Sequence, residues 1–355
     1  MIPISVYVVD NQIVEPSAEP LKLEHIVVGG LTIGFQRTVR VPQGRINDLP
    51  ANLGNFPIYR VRDFQSRVPK NWNSEGFFMP MYSQEALWLS FRRKYHDPRA
   101  LIVAAGNINA VTGRPFQTKD QKVNVALAEG NYMVVPPQPW LDGWKDRDDR
   151  VYQFVAAQLG SGQTVEGQLT GKEDIGGIQL VVYQQKPDFS SKYPRMFPKE
   201  HAVGSDSQSG SLKDDDLLTL ECAGGTLGGG AGTYQGGKSH SRFRESPGHP
   251  NLITLGGNSK GVSSMGLGRG GEIKQKIYPD PYGLNTWSPD SVQSMTLYLI
   301  DSKDFPEITG QQALPTPITI DTYRKLGYPW FGLSDGSWND TKGSAVFGEL
   351  KPVDE

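Results

Sequence analysis

The nine residues GIQLVVYQQ, Gly177–Gln185, contain the run LVVY, in which apolar residues follow one another without polar alternation. Such a short run, rich in β-branched residues, is typical of a strand, and the missing alternation indicates that both of its faces are covered. Other runs of strand character are ISVYVVD (4–10), RTVRVP (37–42), ALWLSFRR (86–93), RALIVAAG (99–106), NYMVVPP (131–137), VYQFVAAQL (151–159), EIKQKIYP (272–279) and SMTLYLID (294–301). We therefore predict a mostly β protein with antiparallel sheets packed as a sandwich or as two sandwich-like lobes.

Some of these runs alternate, as a half-buried strand requires. In RTVRVP, Val39 and Val41 share one face while Arg40 points to the other.

Helix signals are few. The segment SQEALWLSFRRKY (83–95) could be a helix that Ser83 caps, and it fits a strand nearly as well. TIDTYRKLGYP (319–329) is a better short helix, with Thr319 or Asp321 as its cap and Gly327 at its end. Strands and helices do not alternate along the chain, which argues against a doubly wound parallel sheet.

Composition narrows the class of protein. The chain has 355 residues, a net charge of -2 and 41 glycines with 26 prolines. The charge argues against a nucleic-acid partner, because phosphate binding needs clustered Lys and Arg. The single cysteine, Cys222, allows no internal disulfide. The apolar runs fall far short of the roughly 20 residues that span a bilayer, and the N-terminus does not resemble a signal peptide. We expect a soluble protein without a transmembrane segment, cytoplasmic by default, with leaderless secretion left open.

The chain divides into three predicted regions that differ in composition. Residues 1–200 form a predicted N-terminal β-rich lobe, and residues 265–355 a β-rich part that completes the core. Between them, residues 201–264 are polar and then rich in glycine, which predicts a flexible excursion from the sheet. The alternative is one continuous domain.

A phosphate-loop pattern lies in this excursion. GTYQGGKS, Gly232–Ser239, matches G-x-x-x-x-G-K-[ST], which suggests nucleotide binding. A phosphate loop needs a strand that leads directly into it and a helix that follows it. Here the candidate strand LLTLEC ends at Cys222, and Pro247 and Pro250 soon interrupt the chain beyond the pattern. The preferred interpretation is an exposed, flexible glycine-rich loop that carries Lys238, His240, Arg242 and Arg244 at its exit. Binding of an anion or an acidic partner by this basic cluster is a further alternative.

Longer blocks of the chain resemble a known family. They include PPQPWLDG (136–143), GGIQLVVY (176–183), GGEIKQKIYPDPYGLNTW (270–287) and GYPWF (327–331). In these blocks the chain is similar to uncharacterised bacterial and fungal proteins, some of which are labelled integral membrane proteins. The resemblance as a whole covers most of residues 35–335, and its blocks fall in the family's order. The resemblance implies no activity, cofactor or catalytic residue.

Two aromatic regions are candidate binding sites. The loop with Trp140, Asp142 and Trp144 suits sugars, since rings stack on apolar sugar faces and carboxylates accept hydroxyls; alternatively, Trp140 anchors the loop and Asp142 caps a turn. The second set could be a ligand platform or could be hydrophobic plugs that close the end of the sandwich; its members are Asp280, Tyr282, Trp287 and Trp330.

No pattern in the chain indicates catalysis. The five histidines have neither H-x-H nor H-x-x-x-H spacing, and Cys222 lacks a C-x-x-C partner, so no metal or cofactor is predicted. We therefore expect a non-catalytic β protein that acts by ligand binding or self-assembly. The main alternative is carbohydrate binding or a carbohydrate-active protein at the Trp140–Asp142–Trp144 loop, with a glycan as partner. The second alternative is nucleotide binding at Gly232–Ser239.

Overall fold

The computed structural model describes residues 7–9, 12–14, 21–93, 97–116, 118–119, 122–123, 126–147, 149–189, 262–332 and 339–354. Short strands dominate these residues, and the α-helices are short: α1 (Val165–Thr170), α2 (Phe305–Thr309), α3 (Ile320–Lys325) and α4 (Val346–Glu349). The strands are β1 (Tyr7–Val9), β2 (Gln12–Val14), β3 (His25–Val28), β4 (Leu31–Thr38), β5 (Ile46–Asn47), β6 (Leu49–Pro50), β7 (Tyr59–Arg60), β8 (Phe77–Met81), β9 (Ala86–Arg92), β10 (Arg99–Ala105), β11 (Ile108–Asn109), β12 (Thr118–Lys119), β13 (Lys122–Val123), β14 (Met133–Val135), β15 (Trp140–Leu141), β16 (Gly143–Lys145), β17 (Arg150–Gln158), β18 (Ile178–Gln185), β19 (Ser264–Lys274), β20 (Trp287–Asp301) and β21 (Trp330–Phe331).

One large sheet organises the molecule. Its main path runs β11-β10-β18-β20-β19-β17-β9-β4-β3, and every neighbouring pair on this path is antiparallel. Parallel pairs occur off the path, where β8 lies beside β20 and β5 beside β19. The prediction of a mostly β, antiparallel protein is thus confirmed.

The sheet has two arms that share one core. The joint between them is narrow, because β19 and β20 pair only through Ser264 with Ile300 and Met265 with Leu299. Both arms contribute to the same buried cluster, which contains Phe35 of β4 and Leu180 of β18. A core assembled between two arms of sheet agrees with the predicted sandwich packing.

Strand β18 has apolar residues on both faces, as its unbroken run predicts. Ile178, Leu180 and Val182 belong to the main core. Val181 and Tyr183 point the other way, into a second buried cluster that also contains Trp287. This strand lies between β10 and β20, so its backbone is paired along both edges.

The helix alternative for residues 83–95 is wrong. Residues Ala86–Arg92 form β9, which pairs with β4 along one edge and with β15 and β17 along the other. Its residues are buried on both faces, so helical spacing of the large apolar side chains did not determine the structure. The predicted helix near residue 320 is confirmed as α3: the Thr319 hydroxyl accepts the Thr322 N–H at 3.2 Å, and Gly327 follows with a φ of 69°.

The run RTVRVP continues beyond its strand. Val39 and Val41 are buried and Arg40 is partly exposed, as the alternation predicts, but β4 ends at Thr38. Beyond Thr38, the Gln153 side chain makes the hydrogen bonds to the backbone that a neighbouring strand would otherwise make. The Gln153 amide accepts the Val41 N–H at 2.9 Å and donates to the Val39 carbonyl at 3.0 Å.

Residues 265–355 supply β20 and all of β19 except its first residue, Ser264, and both strands lie in the middle of the strand order. Their last described segment, 339–354, also packs against the core, where Phe347 and Val353 are fully buried. Most of the predicted excursion 201–264 lies outside the described residues, and the division into three regions stays a prediction.

Candidate functional site

An outer face of the sheet brings Gln36, Trp88, Ser90, Trp140 and Asp142 together; we call these residues the polar cluster. In the register of β4 and β9, Gln36 lies opposite Trp88, and in that of β15 and β9, Trp140 lies opposite Ser90. Residues that are opposite each other, or two apart on one strand, share a face. The intervening residues, such as Leu87 and Leu89, point into the main core.

Two side-chain hydrogen bonds lie within the polar cluster, one across strands and one within the Trp140–Asp142 segment. The Gln36 amide donates to the Ser90 hydroxyl at 3.0 Å, and the Trp140 indole N–H donates to Asp142 Oδ2 at 2.8 Å. Leu141 pairs with Leu89, which places the next residue, Asp142, close to Trp88. The Asp142 backbone is fixed as well, because its N–H donates to the Gln275 side chain at 3.0 Å.

Three members of the polar cluster carry a buried polar atom without a hydrogen-bond partner in the protein. These atoms are Gln36 Oε1, Trp88 Nε1 and Asp142 Oδ1. The residues are only 6%, 6% and 1% exposed, respectively. Burying such a group unpaired costs about 1–3 kcal/mol. Burial also raises the pKa of the Asp142 carboxyl to about 7, against the opposing effect of the Trp140 hydrogen bond.

Trp144 is separated from Trp140 and Asp142. Its ring is fully buried in the main core, packed against Phe154 and Phe347 with ring centroids 5.1 and 5.2 Å away. Its indole N–H donates to the Gly268 carbonyl at 3.1 Å. Trp144 offers no ring face to a ligand, so the sugar-stacking role that its sequence position suggests is not supported. The Asp142 carboxyl is likewise inside the protein rather than on an open loop.

Of the second predicted set, Asp280, Tyr282 and Trp287 lie together, whereas Trp330 lies in another part of the structure. Asp280 is a hydrogen-bond acceptor for the Tyr132 hydroxyl at 2.5 Å, the Trp287 indole at 2.8 Å and the Tyr282 backbone N–H at 2.7 Å. Tyr282 and Trp287 are buried in the second cluster, where their rings meet edge-to-face. These contacts favour the plug over the ligand platform. Burial, with the neighbouring Asp280 carboxylate, raises the pKa of Tyr132.

Trp330 lies elsewhere, on β21, which pairs with β6. It packs edge-to-face on Tyr323 with ring centroids 5.2 Å apart. Trp330 and Trp140 are both partly buried against the same apolar cluster, which contains Val41 and Leu49. The two tryptophans therefore cover a core rather than converging with Asp280 on a pocket. The predicted anion-binding residues Lys238, His240, Arg242 and Arg244, and the pattern Gly232–Ser239, lie outside the described residues.

An open cleft of about 510 Å³ forms where the chain near residue 340 meets the loops that follow β11. We call it the basic cleft; Asn109, Arg114, Phe116, Glu129, Lys342 and Ser344 are among its lining residues. Arg114, Glu129 and Lys342 are exposed, whereas Phe116 is partly buried. No sequence motif marks this site, because its walls come from segments about two hundred residues apart.

Internal hydrogen bonds hold both walls of the basic cleft. Asn109 accepts the N–H groups of Val111 and Thr112 at 2.8 and 2.9 Å and donates to the Asn131 carbonyl at 2.7 Å. Across the cleft, the Asp340 carboxylate accepts from the fully buried Lys145 ammonium at 2.7 Å. It also accepts the backbone N–H groups of Asp149 and Ile277, each at 2.9 Å. These contacts fix the chain immediately before Lys342.

Other carboxyls with a raised pKa have structural partners. Burial raises the pKa of Glu166, which accepts the backbone N–H groups of Asp174, Ile175 and Gly176 at 3.1, 2.9 and 2.7 Å. Burial also raises the pKa of Glu85, which pairs with Arg37 at 2.7 Å. Neither carboxyl lines the basic cleft.

Within the described part of the chain, no three His, Cys, Asp or Glu side chains are grouped as a metal site would require. The helices among those residues are all too short or too polar to cross a membrane. No protein-family model, curated protein or solved structure matches this chain.

Proposed function

We propose that the protein is a non-catalytic binding protein that takes a small organic anion in the basic cleft. The strongest support is that two exposed cations, Arg114 and Lys342, line the same cleft. Its volume, about 510 Å³, lies within the range of small-molecule sites, about 300–1,000 Å³.

The lining suggests the chemical class of the ligand. Two cations outnumber the one carboxylate, Glu129, among the named lining residues. Arg114 can bind a carboxylate or phosphate with two parallel hydrogen bonds, and Lys342 can add a point charge. Phe116 provides an apolar surface for the remainder of the ligand. Binding rather than catalysis is favoured because Asp142, with its raised pKa, lies in the sheet and not at the cleft.

A thermal-shift screen tests this function. Aliphatic and aromatic carboxylates and phosphate monoesters are added to the wild type and to the Arg114→Ala/Lys342→Ala variant. We expect members of the panel to raise the Tm of the wild type and to lose most of that effect in the variant. Lys303→Ala removes an exposed lysine that is not among the residues lining the cleft, so it serves as the control. A panel without any effect on the wild type would falsify the proposal.

Self-assembly is the second candidate, and a feature of β3 favours it. This strand ends the main strand order, and its Val27 is 63% exposed. An edge strand with an exposed apolar residue is a template for pairing with another chain. We expect the mass from light scattering to rise with concentration for the wild type and to stay monomeric for Val27→Lys. Ile175→Lys, at an exposed position outside the strands, is the control. A wild type that stays monomeric throughout would argue against assembly.

A further inference from the structure

We infer that the polar cluster binds a neutral hydroxyl group through Gln36 Oε1, Trp88 Nε1 and Asp142 Oδ1. All three atoms are buried and lack a hydrogen-bond partner in the protein. They belong to neighbouring positions on one face of the sheet, since Gln36 lies opposite Trp88 and Asp142 follows the β15–β9 pair. Three unsatisfied atoms at neighbouring positions on one face would be costly unless a further molecule hydrogen-bonds to them.

The chemistry of the three atoms selects the ligand. The Trp88 N–H is a donor and the Gln36 oxygen an acceptor, whereas Asp142 Oδ1 donates when the carboxyl is protonated and accepts when it is ionised. A metal cation would face the Trp88 N–H, and an anion would face the two oxygens. With Asp142 protonated, one hydroxyl satisfies all three atoms, because it accepts from Trp88 and Asp142 and donates its single proton to Gln36 Oε1. With Asp142 ionised, only a water, which has two O–H groups, can pair with both oxygens and with Trp88. The same chemistry is shared by an ordered water and by a hydroxyl of a polyol or sugar.

The neighbouring residues hold the free atoms in place. The Gln36 amide nitrogen is directed to Ser90, which leaves its oxygen free, and Asp142 Oδ2 is directed to Trp140. Gly34 leaves room for this arrangement, because a Cβ there would lie 2.6 Å from Ser90 Oγ and 2.7 Å from Gln36 Nε2. Ser90 and Trp140, which hydrogen-bond to Gln36 and Asp142, are the partly exposed members of the polar cluster.

This site is distinct from the basic cleft, with which it shares no lining residue. Its ligand is neutral, whereas that of the cleft is anionic. Failure of either proposal leaves the other standing.

A high-resolution crystal structure of the full chain, solved without additive and again after soaking in glycerol, tests the inference. We expect an oxygen within hydrogen-bond distance of two or more of the three atoms. A single isolated oxygen in both crystals identifies water as the source, and density continuous with glycerol in the soaked crystal identifies a polyol. The inference is overturned if both crystals show no such oxygen.

A double-mutant cycle gives an independent test in solution. Trp88→Phe removes the indole donor and Gln36→Met the amide oxygen, while both keep most of the side-chain volume. If one hydroxyl joins the two residues, the Tm loss of the double variant is smaller than the sum of the single losses. Trp88→Phe combined with Gln179→Met, a buried glutamine of β18 in the other arm, should be additive. Additivity in both pairs would contradict a shared hydroxyl.

Discussion

Burial of the Asp142 carboxyl makes the stability of the protein depend on pH. Its folded-state pKa is raised by burial from 3.8 to about 7. The folded protein therefore holds this proton more tightly than the unfolded chain does. The stability from the protonated form is fully present below about pH 4 and is lost as the pH rises through about 7.

Asp142→Asn removes this dependence while keeping an oxygen that can accept the Trp140 N–H. We expect the variant to be more stable than the wild type at pH 8, by up to about 4 kcal/mol, and to change less between pH 5 and pH 8. Urea unfolding at the two pH values measures this. Asp290→Asn, at an exposed position, is the control, and equal pH profiles for the two variants would contradict the prediction.

Substitution of Asp340 is expected to lower the free energy of unfolding strongly. Its carboxylate is paired with Lys145, whose side chain is fully buried. Removal of one partner leaves the other charge buried, which costs about 3–5 kcal/mol. We expect that loss in urea unfolding of Asp340→Ala. Asp321→Ala, whose carboxylate is 74% exposed and pairs with Arg324 at 3.7 Å, should lose less than about 1 kcal/mol. Similar losses in the two variants would count against the structural role of Asp340.

At the residue scale, the sequence predicted only part of the polar cluster. It marked Trp140 and Asp142 because they lie two residues apart in one loop. Gln36 and Trp88 carried no signal, because they join the cluster only through the pairing of β4 with β9. Trp144 fitted the same local pattern as Trp140, but its side chain points into the main core instead.

At the scale of elements, β18 shows which patterns are informative. The unbroken run LVVY correctly predicted a strand covered on both faces. The segment that became β9 was ambiguous because its large apolar residues fit both the helical and the strand period. Strand β8 was not predicted; it contains Pro80 and lies parallel beside β20. Local spacing therefore identifies strands best where β-branched residues are dense and proline is absent.

Truncations on the two faces of β18 test this double burial. Val181 and Val182 are adjacent and fully buried, but they contact different clusters. We expect Val181→Ala and Val182→Ala each to lower the free energy of unfolding by about 2 kcal/mol, because each removes buried methyl groups and leaves a cavity. Val292→Ala is the matched control on β20, where the side chain is 37% exposed. A neutral Val181→Ala would show that the outer face is not tightly packed.

At the scale of the whole molecule, the order of the strands in the sheet could not be predicted from the sequence. Strand β20 lies between β18 and β19, and β17 lies between β19 and β9, so neighbours in the sheet are often distant in the chain. No local period encodes such pairings. The basic cleft depends on them in the same way, since Arg114 and Lys342 meet only after the chain near residue 340 docks.

Titration calorimetry of the strongest anion from the screen, against the wild type and Arg114→Ala/Lys342→Ala, tests whether the basic cleft is the binding site. We expect binding at least about ten-fold weaker in the variant, equivalent to about 1.4 kcal/mol, and weaker wild-type binding at high salt because exposed charges are screened. An unchanged Kd in the variant, with the variant fully folded, would contradict binding in the basic cleft.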